Sequence, residues 1–484
     1  MIINKSLYPV SGTIQTITNM HKKLDNLQLQ LATGNRYNTL AEMGSDRLHH
    51  LNLGARLNRI EGYQANILTV QNRMSFYTLG LERLDEIEAD ARALAVPNAY
   101  GTDGINLATA RTQATNLLKE VIDVLNTDIT GQYIFGGNKS DTKPVASFSQ
   151  IMDGPNGFVA YSQNRNTQDM GNDGRVDRVV AGNVVTLTED GDHAFGFKLA
   201  SVSAIGAGIV AASGPVDPAA PDAEQEISIT VSAQPAPGDR VTIGVTMPHD
   251  RDSVRYFTFT ASEADPLPIN GFAIGADEDE TAANLEAAIG SKLAQLSHTD
   301  LRSSSTYAAA DGFFNGMGEA QDPAATAWYR GQDAANPRQT VTANIDESTK
   351  AHYGVQANEA GFVELIKGLA VFAVSDLSPL DATNAGRYDA MVDIQRSRLS
   401  EDNNSKPGSI EGITMELGLA AATINTVKAR HTQYDAQLQT MLAEIAEAPR
   451  EEVAMMLLTL QTQLQASYQA TAMASQLTLV NYLR

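Results

Sequence analysis

The residues of this chain with the widest chemical range are its eight histidines: His21, His49, His50, His193, His249, His298, His352 and His431. A histidine can move a proton near neutral pH or ligate a metal, but both tasks need partners at fixed spacing. No H-E-x-x-H pair occurs, so two imidazoles and a general base are never placed on one helical face. His49 and His50 are adjacent and point to different sides of a helix, poor geometry for one ion. His431 falls on the seam of a heptad pattern, where packing is the plain reading. The densest polar cluster, Glu189, Asp190, Asp192 and His193 around Gly191, does not match a calcium loop and reads as a solvated hairpin turn. A P-loop, a G-x-S-x-G elbow and a Rossmann fingerprint in a βαβ setting are also absent from the sequence. With no cysteine, thiolate zinc sites, cysteine nucleophiles and disulfide frameworks are excluded. No catalytic, cofactor-binding or metal-ligating residue is nominated. The expectation is a chain that is not an enzyme and uses no cofactor.

What the spacing does offer is apolar stripes. From about Ser11 to Leu31, Ile17, Met20, Leu24, Leu27 and Leu31 recur in steps of three and four, the narrow seam of a coiled-coil-like helix. Thr33-Gly34-Asn35 ends it, and Ser45 or Asp46 caps a second helix over roughly 46–95 with Ile60, Tyr63, Ile67, Val70, Met74, Tyr77, Leu81 and Leu84 in heptad register. Val96-Pro97-Asn98 breaks it, because proline has no N–H for the helix ladder. A third helix, about Gly104 to Asp128, runs into YIFGGNKSDTKPV (133–145), where Gly136-Gly137 and Pro144 mark an exit to turn and strand. At the other end, helical period covers about 358–401, then Ile410 to Ile445 in unbroken register, and after Ala448-Pro449 a last helix carrying Val453, Leu457, Leu460, Leu464, Ala474 and Leu477. At about 1.5 Å per residue, the Ile410 helix spans roughly 55 Å, a length suited to a rod.

Between about Ala146 and Tyr353 the period drops to two. Ile227, Ile229 and Val231 alternate with polar residues, as do Val241, Ile243 and Val245, while Val254, Tyr256, Phe257 and Phe259 make a third run; these are predicted strands. Pro155-Asn156-Gly157 and Pro237-Gly238-Asp239 read as hairpin or loop connections, and Ala211 to Glu226 as a flexible loop. One helix interrupts the strands, capped by Thr281 with Leu285, Ile289, Leu293 and Leu296 on one face.

The 484 residues call for two or more domains. The formal charge of −22 is uneven: residues 151–350 hold 12 basic and 28 acidic groups, or −16, while 1–150 hold 14 of each. That field repels phosphate backbones, so no nucleic-acid partner is expected. No stretch reaches the roughly 18 apolar residues of a membrane span, and MIINKSLYPVSGT has no apolar core of a secretory signal; no membrane is expected. The predicted fold is multidomain: a long α-helical, coiled-coil-like rod formed by both chain ends, with a central β-rich α+β insertion. Its parts are 1–44 plus 449–484, 45–145 plus 354–448, and 146–353. The terminal helices must meet each other or another molecule, since a lone stripe has nothing to bury against. Their predicted assembly interface is Ile17, Met20, Leu24, Leu27, Leu31, Leu457, Leu460, Leu464, Ala474 and Leu477. The two helical sets are expected to pair without using the insertion.

Both ends resemble the flagellin family, and within it the members that join hook to filament. LDNLQLQLATGNRYNTLAEMGSD (Leu24 to Asp46) is similar to the family's first helix and its Thr-Gly loop, and Gly131 to Asp141, containing Tyr133-Ile134-Phe135-Gly136-Gly137, to the signature where the helices give way to the variable domain. MELGLAAATINTVKARHTQ (Met415 to Gln433) and LLTLQTQLQASYQATAMASQLTLVNYL (Leu457 to Leu483) resemble the closing helices. The family's loop continues with Asp-Pro, where this chain has Asp46-Arg47-Leu48-His49-His50. The resemblance implies a structural subunit of the bacterial flagellum, outside the cell, exported by the flagellar type III route and held beforehand by an export chaperone. Its implied partners are copies of itself in a ring, a neighbouring hook-associated protein and flagellin. A filament flagellin and a surface adhesin using the central domain are the alternatives.

Overall fold

The computed structural model describes residues 7–97, 107–213, 223–315 and 328–482. The first helices are α1 (Leu7–Thr33), α2 (Asp46–Ala93) and α3 (Leu107–Leu125). The predicted break at Pro97-Asn98 and start at Gly104 fall partly outside the described residues. A tight hairpin, β1 (Asp128–Ile129) and β2 (Gln132–Tyr133), turns through Thr130 and Gly131, both with positive φ, and Asp128 Oδ2 accepts from Gly131 N at 2.8 Å.

The middle holds more helix than its period announces. α4 (Phe148–Met152) and α5 (Phe158–Met170) precede β3 (Val176–Ala181), β4 (Val184–Glu189), β5 (Lys198–Ile205), β6 (Ile209–Ser213), β7 (Glu226–Val231), β8 (Arg240–Met247), β9 (Asp250–Ser262) and β10 (Gly271–Ala273). Then come α6 (Glu278–Leu296), a π turn at Ser297–Leu301, α7 (Arg302–Asn315), β11 (Thr342–Asn344) and β12 (Lys350–His352). Pro155-Asn156-Gly157 therefore joins two helices, not two strands. Gly157 must stay bare, since a Cβ there would lie 2.4 Å from Asp153 O. Of the loop expected over 211–226, residues 211–213 belong to β6, Glu226 opens β7, and 214–222 lie outside the described residues.

Two four-stranded sheets have the orders β3-β4-β7-β6 and β10-β9-β8-β5. Their inward rows include alternating residues read from sequence: Ile229 pairs Val185, Ile227 pairs Leu187, and Val241 pairs Phe259, while the strand carrying Val185 and Leu187 is not among those read from period. Those side chains share one core with Leu285, Ile289 and Leu293 of α6. The α6 cap is Asp277, whose carboxylate accepts from Glu280 N at 2.8 Å. Thr281 is one turn inside and buried, with its hydroxyl on Asp277 O and Gln234. Asp277 is the cap because it holds the extended position just before the helix, where its carboxylate reaches the free N–H groups, whereas Thr281 already lies within the helix.

The remaining helices are α8 (Ala360–Val374), α9 (Ala382–Arg398), α10 (Ile410–Ala446) and α11 (Arg450–Tyr482). α8 is apolar but for Glu364 and Lys367, and is buried from Phe362 to Ala373 apart from Glu364. α7, inside the stretch expected to be dispensable, packs on α8 and α9. Tyr307 donates to Gln395 Oε1 at 2.9 Å and Met391 O at 3.2 Å, while Asp311 takes two bonds from Arg398 and one from Lys367 Nζ. The insertion thus packs on the second helical set, while α3 of the first set packs on α8 directly.

The chain forms two compact units. A terminal unit comprises Met1–Val70, Ala343–Ala351 and Ala422–Arg484, and a central unit Gln71–Thr342 and His352–Ala421.

Candidate assembly interface

Within the terminal unit, α1 and α11 pack on each other. Leu27, Ala448, Val453 and Leu460 are buried in one cluster, flanked by Met20, Leu24 and Leu457. The pair runs antiparallel: His21 Nε2 meets Tyr468 Oη midway along the helices, and backbone joins the two segments where α1 ends and α11 begins. There Arg36 N donates to Ala446 O at 2.7 Å, Ala448 N to Gly34 O at 2.9 Å, and Asn35 bridges Glu447. Gly34 takes φ +77°, and Arg450 Nη2 sits 3.4 Å from where a Cβ would stand. The break after α1 and the break before α11 are therefore one shared clasp, which heptad counting could not reveal because its bonds are backbone to backbone. Beyond it, Tyr37 Oη donates to Asp46 Oδ2 at 3.1 Å, tying the loop to the first residue of α2.

Of the ten predicted interface residues, the structure brings Met20, Leu24, Leu27, Leu457 and Leu460 together. Leu464 is buried and Ile17 half-buried, each on its expected stripe. Leu31 is not covered and stands 38% exposed. The side chains of Ala474 and Leu477 lie outside the described residues. What the stripes missed is a second apolar population on the same helices. Ile14 and Leu29 on α1, and Met455, Met456, Leu458 and Met473 on α11, are exposed. The α10 stripe is buried through His431 and then opens, with Tyr434 and Met441 exposed.

His431 is a packed histidine. It stacks on Tyr63 with ring centroids 5.6 Å apart, and its Nε2 lies 2.8 Å from Ile345 O in the β11–β12 loop. Arg430 with Asp346, Arg59 with Glu347, and Asn66 with Asn344 O hold the same loop.

In the central unit the Tyr133-Gly137 segment is a structural knot. Phe135 is fully buried, edge-on to Tyr77 and to Phe362, and Tyr77 Oη donates to Ile134 O at 2.7 Å. Burial raises the Tyr77 hydroxyl to about 12. Gly136 has no room for a side chain, since a Cβ would be 2.5 Å from Lys139 O, and it bridges Gln356. Gly136 and Gln356, on either side of the insertion, are thus bonded to each other, and Val145 at its entry bridges Tyr329 within it.

The acidic cluster around Gly191 is a bend between strands of different sheets, not a hairpin, and is solvated only in part, with Asp190 and Asp192 exposed and Glu189 buried. Glu189 closes β4 facing the core, where it takes Lys198 Nζ and Leu199 N, both at 2.7 Å. Asp190 holds His193 and Arg175, and its carboxyl lies below the usual range because those two partners outweigh burial. A strand pointing its last residue inward made the difference, and charge density alone hides that. Elsewhere Glu88 is buried on α2 beside Arg92 at 2.8 Å; burial, with the nearby Glu411, raises it to about 7 against the pull of Arg92. Among the described residues no group of three or more His, Asp or Glu side chains could hold a metal ion. No helix there is long and apolar enough to cross a membrane.

Residues 5–140 match the bacterial flagellin N-terminal helical region. The match spans α1 to α3 and the Tyr133-Gly137 knot, and it supports the flagellin family through the N-terminal part of the chain. No curated protein matches the sequence. Among solved structures, an extracellular fragment of EsaA from Streptococcus gallolyticus aligns at 10% identity over 90% of this chain and 99% of that one. Its TM-score of 0.11 carries no structural argument.

Proposed function

We propose that this protein is a structural subunit of the bacterial flagellum that joins hook to filament, of the hook-associated protein 3 type. The observation that carries the reading is the double-sided character of the terminal helices. One face of α1 and α11 is spent inside the chain, while Leu29, Met455, Leu458 and Met473 remain in water, an arrangement that favours burial against further helices. The flagellin-type N-terminal region supports the coarser part, a flagellar structural subunit that self-assembles. The Tyr133-Gly137 segment and the Asn481-Tyr482-Leu483 ending favour the junction over the filament.

On this reading, 1–44 plus 449–484 form an inner core, 45–145 plus 354–448 a coiled-coil-like helical wall, and the acidic 146–353 the outer surface. Ile17, Leu31, Ala474 and Leu477 join the covered residues as the interface between copies arranged in a ring. Adjoining hook-associated protein and flagellin flank the ring, an export chaperone holds the chain beforehand, and export follows the flagellar type III route to the cell exterior. Quantitative mass spectrometry of sheared, purified filaments tests the assignment. A trace component supports the junction, a bulk component means a filament flagellin, and absence from flagella with binding through the central unit means an adhesin.

A further inference from the structure

The sulfur atoms of this chain are unevenly placed. It has no cysteine, so its 14 methionine thioethers are all the oxidisable sulfur it contains. Among the described residues, every exposed methionine sits on the last two helices: Met415 and Met441 on α10, and Met455, Met456 and Met473 on α11, between 45% and 67% exposed. Met43, Met74, Met152, Met247 and Met391 are buried in the rest of the molecule, and Met20 and Met170 are half-buried. Four of the exposed five, all but Met415, belong to the terminal unit.

We infer that these exposed methionines are an oxidation site that controls assembly, with hydroperoxides as the modifying class. In the free chain a peroxide reaches Sδ directly. The sulfur lone pair attacks one peroxide oxygen, the S–O bond forms as the O–O bond breaks, and after proton transfer water leaves; sulfur loses two electrons and the peroxide gains them. The product sulfoxide is polar and chiral where the thioether was apolar and adaptable. On an exposed face it stays hydrated, so the chain keeps its fold. Buried against a neighbouring helix it would lose that hydration with no partner built to replace it. The consequence for assembly rests on the reading above, that these faces are covered when copies associate; the selectivity of oxidation does not.

The test uses the purified full-length chain, treated with dilute hydrogen peroxide and supplied to cells lacking its gene. Peptide mass spectrometry should find sulfoxide at Met441, Met455, Met456 and Met473 before Met74, Met247 and Met391, with the circular dichroism spectrum unchanged. Filament restoration should fall about tenfold or more, return after methionine sulfoxide reductase treatment, and survive peroxide in the Met441→Leu, Met455→Leu, Met456→Leu, Met473→Leu variant. Equal oxidation of buried methionines, full restoration by the oxidised chain, or the same peroxide loss in the leucine variant would each overturn the inference. An untreated chain that restores no filaments overturns the assembly reading itself, and with it the control, and is recognised because the order of oxidation is still measured.

Discussion

The sheet core of the central unit and the helix pair of the terminal unit are built to different degrees of completeness. In the sheets, both inner faces and α6 close on one another around fully buried residues such as Leu187, Ile229, Val245 and Leu285, and even the inward carboxylate of Glu189 has its lysine. Among the described residues of the helix pair and its clasp, four are buried in the cluster, and further large apolar side chains on the same two helices face water. The first region contains its own partners. The second contains half of them, and a helix with an uncovered apolar face gains stability mainly by packing. Folding and assembly are thus divided between residues of one chain.

The largest expected effect tests how far the central unit is self-contained. Replacing 147–327 with a short linker removes Tyr307 and Asp311 from α8 and α9, leaving Lys367 and Arg398 with only Glu364 of the two carboxylates they share. That variant should show no cooperative thermal unfolding. Replacing only 173–296 keeps α5, the π turn and α7, and should leave a folded protein; the reverse ranking would break the comparison. Next, Lys198→Ala strands the buried Glu189 and should cost about 3–5 kcal/mol in denaturant unfolding of the central unit. Its effect on proteolysis of α1 should be negligible. Leu460→Ala, in the thin helix cluster, should lie near the lower end of about 2–5 kcal/mol, since so little surrounds it. Its imprint should be earlier proteolytic trimming of both chain ends. Leu460→Asp should abolish incorporation into flagella while the central unit keeps its melting transition.

The smallest effect is a pH dependence. Glu88, raised by burial to about 7 from an ordinary 4.5, holds its proton more tightly folded than unfolded. Its contribution is therefore most favourable below about pH 4.5, declines as pH rises, and is fully lost above about 7. Glu88→Gln keeps an acceptor for Arg92 and should be more stable than the parent at pH 8, with the difference vanishing near pH 4.5. His249, held down to about 4 chiefly by burial, imposes the opposite slope below its ordinary value. The difference between parent and variant, not the parent curve, is thus the measurement. A constant offset at all pH values would show that Glu88 is not the group responsible.

Period was a good guide where one side of an element faces a core and the other faces water. The strands at Ile227 and Val241 and the long helix from Ile410 follow from that contrast. It failed for α7, where Ser303, Ser304, Ser305, Thr306, Ala309 and Ala310 are all buried. Small and hydroxyl-bearing residues carry almost no hydropathy signal, yet they allow helices to approach closely. It failed again at Glu189, where an acidic run reads as solvent-facing until the strand's register turns one member inward. Within the candidate interface, Leu27 and Leu460 were legible from heptad spacing. Leu31 shares their stripe but stays exposed in the single chain, because a stripe states which side chains can share a face and not how far the partner within the chain extends.

By itself the sequence determined which segments are helical at each end, where they break at Gly34 and Pro449, that the middle is acidic and holds strands, and that the H-E-x-x-H, P-loop, G-x-S-x-G and Rossmann patterns are absent. These are properties of local pattern, fixed by residues within a few turns of one another. Only the tertiary structure decided that the two breaks form one backbone clasp, that the segments on either side of the insertion are bonded at Gly136–Gln356 and its entry at Val145–Tyr329, and that the terminal stripes meet each other while a second apolar face stays open. Those outcomes join residues hundreds of positions apart, and the free energy of such contacts depends on geometry that no single stretch of chain encodes.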